Sequence, residues 1–273
     1  MRSDVRIAII DMYNGDPNEG MRCIRELLDE ANSQDGTRLS YEVFDARGSG
    51  EIPDLSFDGY VSTGGGGSPF EGQGSVWEDR YFRWLDDLWC HNRAAAHPKP
   101  AIFICHSFQL FCRHFGIGKV SRRRSESFGI LPVHPTSLGA NDALLQGLPD
   151  PFFAADFRKW QVVQPDGNRL DDLGGQILAI EKDRPHLPYE RALMALRLPG
   201  ELVAVQFHPE ADAAGMARHF RQPERETAVV EEHGRDKFDR IMHRLTDPEY
   251  LDRTHRTILP RFIGLVTRQN GTA

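Results

Sequence analysis

A short apolar run that leads directly into a helical pattern is the feature that most constrains the fold of this chain. Residues 100–104 are apolar and partly β-branched, which indicates a buried strand. Phe108, Phe111 and Phe115 then recur at helical spacing. Cys105 is therefore expected between a strand and a helix, where unpaired backbone N–H groups favour a thiolate. The alternative is an inert buried cysteine.

A second apolar run, at residues 202–207, ends in His208 and Glu210. Residues i and i+2 of an extended chain point to the same side, so Glu210 can orient the imidazole of His208 while the imidazole faces a thiol. This is the order of nucleophile, base and orienting group in covalent catalysis. Both residues also have a purely structural interpretation. His208 could be a polar residue whose hydrogen bonds are satisfied within the fold, and Glu210 could be an acid in the first turn of the next helix. The Cys105 segment favours the catalytic interpretation.

A glycine-rich segment precedes the strand that leads to Cys105. It spans residues 63–74 and contains neither G-K-[ST] nor G-x-G-x-x-G, so a nucleotide phosphate site is not indicated. Glycine lets the backbone approach a ligand closely. The backbone N–H groups of Gly66, Gly67 and His106 are therefore expected to form an oxyanion hole, with a flexible loop as the alternative.

The three segments together resemble those of class I glutamine amidotransferases. The F-H-P-E sequence at residues 207–210 matches the family signature, and Cys105 with Gln109 matches the nucleophile segment G-x-C-x-G-x-Q. Residues 59–69 resemble the family's oxyanion loop. The resemblance implies an α/β fold of the flavodoxin-like type, a three-layer sandwich with a mixed, mainly parallel central sheet. It also implies a triad of Cys105, His208 and Glu210.

The activity implied by the resemblance is a cysteine amidohydrolase that cleaves a γ-glutamyl amide. It would act as a glutaminase subunit or as a γ-glutamyl hydrolase or peptidase, without a metal or a cofactor. Gln109, Ser68 and Arg158 are the residues expected to bind the substrate. The expected partners are the small γ-glutamyl substrate and either a separate synthetase subunit or a second copy of the chain.

Two departures from the family pattern keep other hypotheses open. Phe103 and Ser107 replace the glycines that usually flank the nucleophile, and a bulky residue there can reshape a strained turn. This supports a catalytically degenerate protein that binds a metabolite or partner on the same fold. Residues 157–162 replace the usual S-H-x-D-x-V segment, which puts the preference for glutamine in question. A redox-sensing Cys105 is a third hypothesis.

The remaining pattern predicts the order of elements. Alternating strands and helices over residues 5–120 predict right-handed parallel crossovers. The basic cluster at residues 122–124 is expected in a solvated loop, and residues 128–133 are expected to form an edge strand because they contain Pro132. Pro199 and Gly200 predict a hairpin between the last two strands.

The chain is expected to divide into a catalytic domain at residues 1–211 and a helical C-terminal extension at residues 212–273. Apolar residues recur on one face of the last predicted helix, which is expected to pack on the domain; a dimer surface is the alternative. These residues are Leu251, Ile258, Leu259, Phe262, Ile263 and Val266.

Composition excludes several classes of function. The net charge of −7 argues against nucleic-acid binding as the main activity. The cysteines Cys23, Cys90, Cys105 and Cys112 form neither a CxxC pair nor a zinc spacing, and the N-terminus does not have the pattern of a signal peptide, so a reducing cytoplasm is expected. No apolar run reaches the ~20 residues of a membrane span, so no membrane anchor is expected.

Overall fold

A mixed β-sheet with helices on both faces is the framework of the protein. The computed structural model describes residues 4–33, 38–186 and 190–270, and over these residues nine strands form one sheet in the order β2-β1-β3-β4-β9-β8-β7-β5-β6. The strands are β1 (Asp4–Asp11), β2 (Arg38–Asp45), β3 (Gly59–Ser62), β4 (Ala101–Ile104), β5 (Lys119–Pro135), β6 (Phe152–Val163), β7 (Gln176–Glu181), β8 (Leu193–Leu198) and β9 (Leu202–Val205).

Helices connect the strands and continue after the last strand. The helices are α1 (Glu19–Ser33), α2 (Val76–Ala94), α3 (His106–Phe115), α4 (Ser137–Asn141), α5 (Gly167–Leu173), α6 (Ala213–Phe220), α7 (Pro223–His233), α8 (Arg235–Thr246), α9 (Leu251–His255) and α10 (Ile258–Asn270).

Strand direction changes half-way across the sheet. Strands β2, β1, β3, β4 and β9 are parallel to one another, whereas β8, β7, β5 and β6 add to the sheet in antiparallel pairs. All four residues of β4 are buried, as expected for a central parallel strand that is covered on both faces. The predicted α/β architecture with a mixed central sheet is confirmed.

The predicted hairpin between the last two strands is also confirmed. β8 and β9 pair in antiparallel register from Ala195–Val205 to Leu198–Leu202. Gly200 and Glu201 in the turn have φ values of 79° and 64°, and glycine adopts such left-handed backbone without a steric penalty.

Two hydrophobic cores lie on opposite faces of the sheet. One contains residues of α1 and α10, and the other contains residues of α2 and α3. The apolar face of α10 is buried, with Ile258, Leu259 and Phe262 fully excluded from solvent. A Cβ built on Gly59 would lie 2.6 Å from a methyl group of Val266, so the helix approaches β3 at a glycine. The apolar stripe of the last helix is therefore used within the chain.

Two local predictions were wrong. Residues 122–124 belong to β5 and do not form a solvated loop, because Arg122 pairs with Trp160 in the antiparallel β5–β6 ladder. The side chain of Arg123 also forms an ion pair of 2.8 Å with Glu181 of β7. The edge strand is β6, whereas β5 lies between β6 and β7. Pro132 is tolerated in β5 because β5 pairs with β7 only over residues 133–135, beyond the proline.

Candidate active site

Cys105 occupies the turn between β4 and α3 in a conformation that few residues adopt. Its φ and ψ are 47° and −94°, and a non-glycine residue with positive φ stores strain of order 1–3 kcal/mol. The turn is held on both sides. The N–H of Cys105 donates to the carbonyl of Val205 at 2.8 Å, and its own carbonyl accepts from Gln109 N at 3.1 Å. These bonds fix the thiol at the carboxyl end of β4.

The residues that replace the family's flanking glycines do not enter the cavity beside Cys105. Phe103 is fully buried in the core under α2 and α3, with its ring centroid 4.6 Å from that of Phe111. The hydroxyl of Ser107 donates to the carbonyl of Thr63 at 2.6 Å. Ser107 therefore links the start of α3 to the glycine-rich loop, and Phe103 contributes to the core.

His208 and Glu210 are joined by a short hydrogen bond. Nδ1 of His208 lies 2.8 Å from Oε1 of Glu210, and the Glu210 side chain is only 1% exposed. The backbone N–H of His208 donates to the carbonyl of Ala155 at 2.9 Å, which attaches the residue to the edge strand β6. Nδ1 is therefore the protonated nitrogen facing the carboxylate, and Nε2 is left for chemistry.

The charges around His208 favour its cation. Burial alone would lower the pKa of His208, but the Glu210 carboxylate and Cys105, which contact the ring through charge and hydrogen bonds, raise this pKa well above its ordinary value. The raised pKa is the expected property of a histidine that shares a proton with a thiol on one side and a carboxylate on the other.

Two glycines of the glycine-rich loop approach the site as closely as backbone can. A Cβ on Gly64 would lie 2.7 Å from Cε1 of His208, and a Cβ on Gly65 would lie 2.5 Å from the carbonyl oxygen of Met12. Gly65 and Gly66 line the cavity that contains Cys105 and His208. Only glycine fits at positions 64 and 65. A side chain at 64 would overlap His208, and a side chain at 65 would overlap Met12, which follows β1.

A cavity of about 460 Å³ opens above these residues. Its floor contains Cys105, His208 and Glu210, and its volume lies in the range of small-molecule sites, roughly 300–1,000 Å³. The cavity lies at the carboxyl ends of parallel strands, where open α/β sheets bind their ligands.

Comparison with known proteins identifies the fold. No family model matches the sequence, and no curated protein matches it either. Among solved structures, a glutamine amidotransferase from Thermotoga maritima matches with a TM-score of 0.69 and 18% identity, over 96% of this chain and 98% of that chain. The chain has a class I glutamine amidotransferase-like fold.

Two further structures support this assignment. The glutaminase domain of a Trypanosoma brucei CTPS, solved with bound acivicin, matches with a TM-score of 0.57 and 16% identity over 78% of this chain and 88% of that domain. A protein from Thermoplasma acidophilum described as a putative GMP synthase subunit matches with a TM-score of 0.52 and 17% identity over 84% of this chain and 98% of that chain. The fold implied by the sequence motifs is thereby confirmed.

Within this amidotransferase-like fold, the residues predicted for the oxyanion hole are not all at the cavity. Gly66 lines it, but Gly67 does not; a Cβ on Gly67 would point at Glu71 instead. Gly65, which was not among the predicted residues, lines the cavity beside Gly66. His106 is the first residue of α3 and is buried. Burial, with the charges of Arg47 and Arg113, lowers the pKa of His106 to about 3, so its imidazole is neutral at physiological pH.

The predicted substrate-binding residues lie outside the cavity lining. Arg158 is buried on the other side of β6, where its Nε donates to Asp156 Oδ1 at 2.8 Å. The reason is strand alternation: Phe157 faces the cavity, so its neighbour Arg158 faces away. Gln109 donates to Gln206 Oε1 at 3.1 Å, and Ser68 accepts from Phe70 N at 3.2 Å. In this structure the three residues thus make polar contacts with neighbouring residues and do not line the cavity.

Gln206 is one residue that the sequence analysis missed. Its Nε2 approaches the carbonyl oxygen of Cys105 at 3.5 Å and the Cys105 sulfur at 3.8 Å. Gln109 therefore contacts the turn directly through its backbone N–H and indirectly through its side chain, which donates to Gln206. The signal was present in the sequence, because Gln206 immediately follows β9 and a polar residue at the end of a parallel strand faces the site.

Tyr13 is a second missed residue of the cavity. It follows β1 in a turn and lines the cavity with Cys105 and Glu210. Burial, with the charges of Glu210 and Cys105, raises the pKa of Tyr13 well above its ordinary value. Tyr13 is therefore a neutral phenol next to the candidate nucleophile. The sequence could have indicated Tyr13, because it comes two residues after β1, at the carboxyl end of a parallel strand.

The third missed feature is a cavity wall built by α6 and α7. Met216 and Phe220 of α6 and Val229 of α7 line the cavity opposite the glycine-rich loop. These helices belong to the segment that the sequence analysis assigned to an extension beyond the catalytic part. Another residue of this segment holds Glu210: Nδ1 of His255 in α9 lies 2.9 Å from the Glu210 carbonyl oxygen.

Neither a metal cluster nor a membrane span occurs in the described part of the chain. No group of three or more His, Cys, Asp or Glu side chains in residues 4–33, 38–186 and 190–270 could hold a metal ion. Within the same ranges, no helix combines the length and the apolar character that crossing a bilayer requires.

Proposed function

We propose that this protein is a cysteine amidohydrolase that cleaves the C–N bond of a γ-glutamyl amide. Cys105 is the nucleophile, His208 the acid and base, and Glu210 the carboxylate that orients His208. The observation that supports this most strongly is the position of His208, which hydrogen-bonds Glu210 Oε1 at 2.8 Å through Nδ1 and lines the same cavity as Cys105.

The first step adds the thiol to the amide. Cys105 gives its thiol proton to His208 while its sulfur attacks the γ-carbonyl carbon; a C–S bond forms and the carbonyl π electrons move onto oxygen, which gives a tetrahedral intermediate. The backbone N–H groups near Gly65 and Gly66, with that of His106 at the start of α3, are the candidate donors to this oxyanion. Such donors, aimed at a developing charge, are worth about 10²–10³ in kcat each.

The second step releases the amine and then glutamate. The oxyanion collapses, the C–N bond breaks, and His208 donates its proton to the departing nitrogen. A water molecule then attacks the thioester carbonyl, His208 accepts the proton of this water, and the C–S bond breaks. Glutamate leaves and the thiol is restored.

The catalytically degenerate alternative loses its main support. That hypothesis depended on Phe103 reshaping the turn around the nucleophile, but the Phe103 ring is packed against Phe111 in the core and not in the cavity. The buried Glu210 carboxylate, hydrogen-bonded to His208 in the cavity that also contains Cys105, supports an enzymatic role instead.

A synthetase partner is a second form of the same proposal. The structural neighbours include a CTPS glutaminase domain and a putative GMP synthase subunit, so a separate synthetase chain is the candidate acceptor of any released ammonia. In the domain arrangement that we propose, residues 1–211 hold the triad and residues 212–273 form an extension that completes the cavity wall.

Trapping the glutamyl thioester tests the proposal. Wild-type protein is mixed with a γ-glutamyl amide and quenched in acid within seconds, and its intact mass is measured. We expect a fraction of the protein to gain one glutamyl group, located on the Cys105 peptide and absent in Cys105→Ala. A glutamyl group on another residue, or none while the amide is consumed, would contradict the assigned mechanism.

A further inference from the structure

We propose that the preferred substrate is a γ-glutamyl amide of an apolar amine about the size of an aromatic ring. This inference rests on the proposed function and adds the identity of the leaving group. The binding surface for this group, called here the amine wall, consists of Phe128, Phe157, Met216, Phe220 and Val229.

The amine wall is preformed. The ring centroids of Phe128 and Phe157 are 4.9 Å apart, and each lies 6.0 Å from that of Phe220. Met216, Phe220 and Val229 are buried, at 9%, 5% and 8% exposure. These side chains are fixed by their own packing, so a ligand ring would be bound without first ordering them.

The amine wall begins next to His208. The N–H of His208 donates to the carbonyl of Ala155 at 2.9 Å, and Ala155 and Phe157 both line the cavity. Residues i and i+2 of a strand are about 7 Å apart on the same face, so Phe157 lies about 7 Å along β6 from Ala155, the residue that binds the backbone of His208. Phe128 is the partner of Phe157 across the β5–β6 pair, which extends the apolar surface away from His208.

The position of His208 decides which end of the substrate faces this wall. His208 donates the proton to the departing nitrogen, so that nitrogen and its substituent lie on the His208 side of the scissile carbonyl. The other end of the substrate has an ammonium and a carboxylate, and placing these against phenyl rings without partners would have a large desolvation cost. The amine substituent is therefore the part that contacts the rings.

Free glutamine does not use this surface. Its leaving group is ammonia, which leaves the amine wall uncovered, whereas a phenyl or similar group would bury apolar area there. Burying a ring of this size improves binding by about 10- to 100-fold. The overall reaction is balanced as γ-glutamyl amide plus water giving glutamate plus free amine, with His208 returning the thiol proton to the nitrogen.

A substrate panel tests the inference. It contains glutamine, γ-glutamyl methylamide, γ-glutamyl benzylamide and γ-glutamyl putrescine, the last being a cationic amide of similar length. We expect kcat/KM for the benzylamide to exceed that for the methylamide by about 10- to 100-fold. The putrescine amide should gain much less than the benzylamide, because the amine wall presents rings to its chain and the carboxylate of Glu232 lies outside this wall in the cavity lining.

Filling the amine wall provides the matched variant. Val229→Phe places a ring inside the wall, and Val76→Phe makes the same change at a position that is 66% exposed on α2. We expect Val229→Phe to lower the benzylamide-to-methylamide ratio of kcat/KM at least tenfold and Val76→Phe to leave this ratio as in wild type. Circular dichroism of both variants checks that they fold.

The outcomes separate the inference from the proposed function. Equal kcat/KM for benzylamide and methylamide in wild type, or a preference for the cationic amide, would overturn the amine wall while the hydrolase proposal stands. An unchanged ratio in folded Val229→Phe would overturn it as well. If no amide of the panel is hydrolysed, the proposed function itself fails.

Discussion

Gly64 and His208 are in such close contact that a Cβ on the glycine would lie 2.7 Å from Cε1 of the imidazole. The backbone of Gly64 does not have the positive φ that requires glycine, so the requirement is one of space. We predict that Gly64→Ala displaces the His208 ring and lowers kcat by about 10²-fold, the usual effect of a misplacement near 1 Å. Steady-state kinetics with a γ-glutamyl amide measures this loss.

The control for Gly64→Ala is a glycine with free space around it. A Cβ on Gly167, at the start of α5, would meet no atom within 4 Å. Gly167→Ala should keep wild-type kcat. A Gly64→Ala protein with wild-type kcat would mean that the distance between the loop and His208 is not important for turnover.

Cys105 is predicted to react faster with alkylating agents than the other three cysteines. Burial, with the hydrogen bond to Asp212, raises the pKa of Cys23, and burial raises the pKa of Cys112, so both remain thiols. Cys90 is exposed on α2 and does not line the cavity that contains Cys105 and the candidate base His208. Iodoacetamide at pH 6, followed by peptide mapping, should label Cys105 first. Faster labelling of Cys90 at this pH would contradict the assignment of Cys105 as the nucleophile.

The activity should be lost at high pH, and Glu210 should set where this happens. Burial alone would lower the pKa of His208, but Glu210 and Cys105 raise it, so the histidine keeps the proton for the leaving amine until the pH rises through this raised pKa. Glu210→Gln removes the carboxylate and lowers the pKa of His208. The alkaline limb of the pH profile of kcat should therefore move to lower pH, and kcat should fall on the order of 10²-fold or more.

Glu249→Gln is the matched control for this pH profile, because Glu249 is an exposed residue outside the cavity, paired with Arg253. Its alkaline limb should coincide with that of wild type. If the alkaline limb of the kcat profile of Glu210→Gln coincides with that of wild type, a group other than His208 causes the loss of activity at high pH.

Asp212 is predicted to stabilise the junction between α1 and α6. It caps α6 by accepting from Gly215 N and pairs with Arg22 of α1. Burial alone would raise the pKa of Asp212, but these contacts lower it to about 2. Asp212→Ala should lower the free energy of unfolding by about 1–2 kcal/mol at pH 7. Urea denaturation measures this change.

The sign of the pH dependence follows from the lowered pKa of Asp212. The contribution of Asp212 to the free energy of unfolding is complete above about pH 3.9, which is the pKa of this carboxyl in the unfolded chain. It is lost as the pH falls from there towards 2. The difference in unfolding free energy between wild type and Asp212→Ala should therefore shrink over this interval. Asp87 is exposed on α2, so Asp87→Asn is the control. Its free energy of unfolding should match that of wild type at every pH.

The parts of the site that could be predicted are those fixed by local pattern. Cys105 follows a buried strand and precedes a helix, and His208 follows another buried strand, so both fall at the carboxyl edge of the sheet once the strands are parallel. The hairpin at Gly200 was visible in its turn residues. These features depend on neighbours within a few residues along the chain.

The parts that were missed depend on which face a side chain takes or on distant segments. Arg158 and Phe157 are adjacent, and only the orientation of β6 decides that the phenyl ring and not the guanidinium enters the cavity. Phe220 and Val229 reach the cavity from helices that follow the last strand, and their amphipathic pattern does not reveal what they cover. The basic cluster at 122–124 belongs to a strand because β5 pairs there with β6, which lies almost 40 residues further along the chain, and Arg123 forms an ion pair with Glu181.

The decisive measurement is amine release from γ-glutamyl benzylamide by wild type and Cys105→Ala under identical conditions. We expect turnover by wild type and a loss on the order of 10³-fold or more in folded Cys105→Ala, because the thiol forms the bond that replaces the amide. Equal turnover by both proteins, or no turnover by wild type on any γ-glutamyl amide, would contradict this expectation.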